Sequence, residues 1–199
     1  MRMKFLSRGA LLTMILLATS VLSSCGYNSL QGLDEDVKAS WAEVENQSQR
    51  RYDLIPNLME VVKGYAKHER ETLEAVVKAR AEATQTKIDV SALSNPKAFQ
   101  QFEQAQNGLT QALSKLMVVV EKYPDLKANE NFRDLQSQLE GTENRIAVAR
   151  KRYIEVVAEY NKKVRYFPTN LTAKFLLHME TRATFTSAPE AQNAPKLSF

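Results

Sequence analysis

The feature that most constrains this chain is an apolar rhythm of threes and fours, carried through two long stretches with no internal proline. Phe99, Phe102, Gln106, Leu109, Leu113, Leu116, Val120 and Tyr123 step by 3 and 4 residues, with one polar exception. Phe132, Leu135, Leu139, Thr142, Ile146, Ala149, Tyr153, Val156 and Tyr160 repeat the pattern as far as about Arg165, where Phe167 and Pro168 stop it. Side chains at this spacing share one face of an α-helix, so each stretch must bury that face against another helix. Two partners lie upstream. Leu33, Val37, Trp41 and Val44 mark a first helix, with Asp34, Glu35 and Asp36 at its start, where a helix N-terminus favours negative charge. Pro56 disfavours helical geometry at Ile55 and suits the first turn of a new helix, so a break or sharp kink is expected between Asp53 and Pro56. A second helix then runs to about Lys87 with Leu58, Val62, Tyr65, Thr72, Val76 and Ala79 on one side, and Gly64 is a competing break point. Ser94 or Asn95 is placed to cap the third helix, with Pro96 at its first position. Four amphipathic segments of about 20, 31, 27 and 36 residues joined by short connections predict an all-α, antiparallel up-and-down four-helix bundle with an extended C-terminal tail. No alternating period-2 run competes.

The N-terminus carries a different instruction. Arg2, Lys4 and Arg8 precede or border an apolar run from Ala10 to Leu22, and small residues follow, which is the pattern of a secretory signal. Thirteen residues of helix rise about 20 Å, short of the ~30 Å hydrocarbon core of a bilayer, so a permanent span is the weaker reading. The one cysteine, Cys25, ends the sequence Leu22-Ser23-Ser24-Cys25, which resembles a bacterial lipobox. That resemblance implies cleavage before Cys25 and acylation of its thiol. A lone thiol has no intrachain disulfide partner, and two or three acyl chains make anchoring stable. The expected organisation is a lipoprotein signal peptide over 1–24, the acylated Cys25 with a short tether over 25–32, a helical bundle over 33–167, and a tail over 168–199 that is partly docked and then flexible. The expected location is the extracytoplasmic face of the cell membrane. Gly26, rather than an aspartate, points to the periplasmic side of the outer membrane where a host has two membranes.

Charge then loses its apparent meaning. The whole chain carries 27 basic and 23 acidic residues, a net +4, but cleavage before Cys25 removes three basic and no acidic residues and leaves +1. A nucleic-acid footprint is not supported. A length of 199 residues with 44% hydrophobic content suffices for one domain with a real core.

Two longer motifs carry a family resemblance. "RRYDLIPNLMEVVKGYAKHERETLEAVVKARAEA" from Arg50, and "LEGTENRIAVARKRYIEVVAEYNKKVRYFPTNLTAKF" from Leu139, resemble the LemA family of bacterial membrane-anchored helical proteins, over nearly the whole mature chain from Tyr27 and Asn28 to the closing "PKLSF". The resemblance implies a four-helix up-and-down bundle outside the cytoplasm, with no established enzymatic activity. Two departures stand out: Cys25 lies where many members keep an N-terminal span, and Ile154 follows Tyr153 where the family often has Asn.

Catalytic chemistry finds little purchase. His68 and Glu69 are half of a zinc motif, but no second histidine follows four residues on, and the other histidine, His178, is in the tail. Glu140 and Glu143 share a helix face and, with Glu69 or Glu71, offer a carboxylate cluster, without the Glu-x-x-His pairs of di-iron bundles. There is no Gly-rich phosphate loop and no GxSxG elbow. No catalytic residue, metal or cofactor is expected.

The polar stretch from Glu45 to Arg51, "ENQSQRR", contains no apolar residue although a bundle helix should keep a buried stripe. Either this half-helix is exposed, or Gln47 and Arg51 face inward. Arg51, Asp53 and Asn57 on one side, with Glu143, Asn144, Arg145 and Arg150 on the other, are the candidates for a register-fixing network or for a partner site at one end of the bundle. In the tail, Phe175, Leu176 and Leu177 form an apolar patch, and docking of residues 170–180 on the bundle or the nearby membrane is expected; the terminal "LSF" is a candidate ligand for another envelope protein. The function expected is a lipid-anchored binding or scaffolding module with an unidentified envelope protein as partner. The alternatives are a metal- or ligand-dependent bundle enzyme and a membrane-shaping protein.

Overall fold

The computed structural model describes residues 8–185, and the side chains of Thr13 and of residues 26–185. Expectations about 1–7, about the side chain of Cys25, and about residues 186–199 including the terminal "LSF" lie outside the described residues. Helix α1 spans Arg8–Tyr65, α2 Arg70–Gln85, α3 Pro96–Val120, α4 Pro124–Ala128 and α5 Glu130–Arg165, with a 3-10 turn over Val90–Ser94 before α3. A short α6, Thr169–Leu171, runs into a π-turn over Thr172–Leu176. The long helices α1, α2, α3 and α5 run up, down, up and down, and no strand occurs among the described residues.

The caps follow from side chains. Asn95 Oδ1 accepts from the amides of Lys97 at 3.0 Å and Ala98 at 3.3 Å, with Pro96 at the first helical position of α3, as expected from the sequence. Asn129 Oδ1 accepts from Phe132 N at 3.0 Å and starts α5. The α5 span of 36 residues is the length its rhythm predicts.

The first helix break is a correction. No break falls between Asp53 and Pro56: α1 continues through Pro56 to Tyr65, one residue past the competing position Gly64. Pro56 has no N–H to give to the carbonyl four residues back, and that carbonyl, Tyr52 O, accepts from Arg80 Nε of α2 at 2.8 Å. A tertiary contact thus fills the hole that proline leaves in the helix ladder, and the chain turns only over residues 66–69. As a result Tyr65 is 43% exposed and Ala66 is fully buried in its place.

The stretch expected as a tether is likewise helical. Residues 26–32 belong to α1, Leu30 is fully buried, and Gly26 lies so close to Thr169 that a Cβ on it would come within 3.1 Å of the threonine methyl. The bundle therefore begins at the residue after Cys25.

The core has two storeys. In the upper one, Ile55, Leu58 and Val62 of α1 pack with Leu73 and Val76 of α2, Leu109, Leu113 and Leu116 of α3, and Phe132 and Leu139 of α5. In the lower one, Leu30, Val37, Trp41 and Val44 meet Phe99, Phe102, Tyr153, Val157 and Tyr160. Because α2 ends at Gln85, the lower storey is closed by Ile88 and Leu93 and by the C-terminal segment up to Phe185. Within the region 170–180 expected to dock, Ala173 is buried and Leu177 and Met179 pack against the lower storey. Phe175 and Leu176 are exposed, while residues 179–185 run along the bundle as a strap: Tyr160 Oη donates to Glu180 O at 3.1 Å, Tyr153 Oη to Ala183 O at 2.9 Å, and Ala183 N to Leu93 O at 2.8 Å.

Candidate functional site

Between the two storeys the 3,4 rhythm of α1, α3 and α5 meets a polar residue on each helix. On α1 the buried positions run Val44, Ser48, Arg51 and Ile55; on α3 they run Phe102, Gln106 and Leu109; on α5, Leu139, Thr142 and Ile146. Arg51 is 0% exposed. Its Nη1 donates to Glu143 Oε1 at 2.8 Å and to Thr110 Oγ1 at 3.3 Å, and its Nη2 donates to Gln106 Oε1. Gln106 Nε2 donates to Tyr52 Oη at 2.5 Å, and Tyr52 Oη donates onward to Ala83 O at 3.2 Å. One chain of bonds therefore ties α1, α2, α3 and α5 together at one level. Fixed at that level, a one-turn slip of any helix strands a buried guanidinium or amide.

The edge of this layer reaches the surface through Glu143, whose side chain is 36% exposed. Beside it lies a cleft of 380 Å³ lined by Glu143, Ile146, Arg150, Ile154 and Phe185 among others. Arg150 sets its guanidinium 4.9 Å over the Phe185 ring. Burial, together with the neighbouring Arg51 charge, holds Arg150 below the ordinary guanidinium range, against the pull of Glu143 and Glu103. Its Nε is buried with no hydrogen-bond partner.

The structure brings together Arg51 and Glu143, with Arg150 beside them. It leaves the others out: Asn57 and Asn144 are exposed, Asp53 accepts from Gln49 of its own helix at 2.8 Å, and exposed Arg145 reaches back to Thr142 at 3.3 Å. Half-buried Gln47 donates its Nε2 to Glu43 of its own helix at 2.9 Å, and of the polar stretch Ser48 and Arg51 are the fully buried residues. The layer lies midway along the bundle, between the two storeys, and not at one end as the partner-site reading expects. Tyr52, Gln106 and Thr110 are members that sequence reasoning did not assign. The signal for Gln106 was present as the one polar step in an otherwise apolar rhythm.

A second polar assembly secures the strap. Arg182 Nη2 donates to Asp34 Oδ1 at 3.0 Å, its Nη1 to Ser94 Oγ at 2.9 Å, and its backbone exchanges bonds with the Asn161 amide at 2.8 and 2.9 Å. Burial pushes the Asp34 carboxyl up, but bonds from Lys38 and Arg182 outweigh it and hold the group below its ordinary value. Phe185 then inserts among Trp41, Phe99, Phe102 and Tyr153, with ring centroids 4.9 to 6.5 Å away.

His68 is exposed, Glu69 accepts from Tyr123 Oη at 3.1 Å, and Glu71 and Glu140 are exposed on separate helices. Among the described residues no three His, Cys, Asp or Glu side chains converge as a metal site would require. No helix among the residues whose side chains are described is long and apolar enough to cross a membrane.

This fold and its polar layer define an elongated all-α bundle built on one overlong N-terminal helix. The chain belongs to the LemA family, whose model matches residues 40–199. Among curated proteins it is similar to Magnetosome protein MamQ 2 of Paramagnetospirillum magneticum, 25% identical over 74% of this chain and 60% of that protein. It is similar as well to Magnetosome protein MamQ of Magnetospirillum gryphiswaldense, 25% identical over 80% of this chain and 67% of that protein. Protein LemA of Metamycoplasma hominis is 24% identical over 75% of this chain and 64% of its own length. The chain thus spans about three-fifths of the Paramagnetospirillum protein it matches.

Proposed function

We propose that this protein is a lipid-anchored, non-catalytic binding or scaffolding module of the bacterial cell envelope, tied to the membrane through acylated Cys25 and presenting a rigid bundle to an envelope protein. The observation that carries this reading is the continuity of α1, which enters the bundle at the residue after Cys25 and holds its helix to Tyr65. An anchor joined this way sets the position of the bundle as well as its address. The polar groups in the interior support a structural role, because Arg51, Gln106, Tyr52 and Glu143 are engaged with one another. The face offered to a partner is the cleft beside Arg150, where Ile154 is 38% exposed and Lys151 and Glu143 supply charge of both signs.

Crosslinking in intact membranes followed by mass spectrometry tests the reading. A specific envelope protein is enriched with the wild type, and Ile154→Glu reduces its recovery without unfolding the bundle. Recovery of abundant background proteins alone, equally with both variants, would overturn it. Acyl labelling of wild type and Cys25→Ser checks the anchor separately: label on the serine variant removes Cys25 from the proposal.

A further inference from the structure

The end of the bundle next to residue 26 carries a concentration of exposed apolar side chains that the fold does not use. Tyr166 is 62% exposed, Phe167 80%, Leu171 49%, Phe175 68% and Leu176 61%. All lie within the short span from the end of α5 through α6 and the π-turn, while Ala173, in the middle of it, is 1% exposed and fixes the segment to the lower storey beside Leu30 and Val164. Thr169 meets Gly26 directly, and its Oγ1 donates to Lys163 O at 2.6 Å, so the segment is held against α1 at the point where Cys25 precedes it.

Charge marks the same segment. Lys162, Lys163, Arg165 and Lys174 fall between Asn161 and Met179, and no acidic residue does. Lys174 Nζ sits 5.6 Å from the Phe175 ring centroid, a cation beside an aromatic face. Large aromatic and aliphatic side chains interleaved with lysine and arginine form the composition that settles at the boundary of headgroups and acyl chains, rings at the interface and cations at the phosphates. The segment adjoins Gly26, the residue after Cys25, where the proposed lipid attachment falls.

From these observations we propose that residues 162–176 form a collar that seats on the lipid bilayer, its apolar side chains in the interface and its four cations, Lys162, Lys163, Arg165 and Lys174, on anionic headgroups, fixing the bundle upright over the anchor. The proposal rests on membrane anchoring near residue 25 and not on the existence of a protein partner. The occupant is the bilayer because the patch adjoins the residue after Cys25, the proposed lipid attachment point, and carries charge of the sign that anionic lipid attracts. An orphan apolar surface elsewhere on the bundle would lack both arguments.

The test uses the full chain reconstituted into phosphatidylcholine vesicles with and without phosphatidylglycerol, with brominated acyl chains as quenchers and the vesicle-bound fraction isolated by flotation. Phe167→Trp places an indole in the collar, and Val118→Trp places one near the far end of α3, where Val118 is 69% exposed. The buried native Trp41 serves as internal reference. Quenching at 167 exceeds that at 118 by about threefold or more, in keeping with interfacial burial, and deepens with phosphatidylglycerol. Changing Lys162, Lys163, Arg165 and Lys174 together to Gln abolishes the dependence on phosphatidylglycerol. Phe175→Trp repeats the measurement should Phe167→Trp fold poorly. Equal quenching at 118 and at the collar positions overturns the proposal, including the case in which the patch serves a protein and stays clear of lipid in protein-free vesicles. Failure of the crosslinking experiment leaves this result untouched, so the two readings fail separately.

Discussion

Arg51 stands where its helix would otherwise bury an apolar side chain, and four polar groups meet it or its partners there: Glu143, Gln106, Thr110 and Tyr52. Removing one partner of a buried pair strands the rest, so Arg51→Ala lowers unfolding free energy by about 3–5 kcal/mol in urea titrations. Replacing Arg51, Gln106 and Glu143 together by Met or Leu is about neutral, or stabilising by up to about 4 kcal/mol, because no charge is left unpaired. The triple variant loses helix register, seen as broadened side-chain NMR signals at retained helicity. Pro56 offers a sharper test. Arg80→Met, which orphans the Tyr52 carbonyl, destabilises by about 1.5–3 kcal/mol. In a Pro56→Ala background the restored amide takes that carbonyl, and most of the loss disappears. A double-mutant cycle reads the coupling directly; additivity of the two changes would refute the link. The inward turn of Arg51 was legible as an option in a stretch with no apolar residue. Which of its neighbours paired with it was not, because Asp53 and Asn57 are near it in sequence but lie on the exposed side of the same helix.

At the level of elements, the strap and α2 divide one task. The short α2 covers the upper storey, and residues 179–185 cover the lower, with Arg182 as the fastening. Asp34, whose carboxyl is held below its ordinary value, supplies a pH dependence of known sign. A folded-state value below the unfolded one adds stability above the unfolded pKa and loses it as pH falls through the folded value. Asp34→Asn is therefore less stable than wild type at neutral pH, and the difference closes as pH falls below the ordinary carboxylate range; urea midpoints across that range check it. A gap that stays constant into acid would show that Asp34 acts by shape alone. Tyr153 and Tyr160, raised by burial, stay protonated at neutral pH and keep donating to the strap. The long helices α3 and α5 were readable because an unbroken period states both type and extent. The junction of α1 and α2 was not: local chemistry at Pro56 argues for a break, and only Arg80, on another helix, removes the penalty. The strap lacked any periodic signature, since apart from the Arg182 guanidinium its bonds are made by backbone carbonyls and amides that every residue carries.

On the scale of the whole molecule, the part of α1 from Gly26 to Tyr65 is about 60 Å long against about 54 Å for α5, so it runs the full height of the bundle. The expectation of a short tether over 25–32 gives way to a bundle that starts at Gly26. On the proposed lipid anchor and envelope partner, inserting a flexible Gly-Ser segment after Gly26 keeps the protein in the membrane fraction but weakens capture of that partner by membrane crosslinking, because position over the bilayer is lost while address is kept. Unchanged capture would mean that the bundle needs proximity only. By itself the sequence determined the helical class, the extents of α3 and α5, the start of α3 at Pro96 and the family, all properties written in local spacing and composition. Tertiary structure alone decided where α1 ends, that residues 26–32 join the bundle, which polar residues meet at mid-height, and which part of the tail docks. Each of these depends on a group distant in sequence that satisfies or covers another, and a periodicity, being local, does not carry that information.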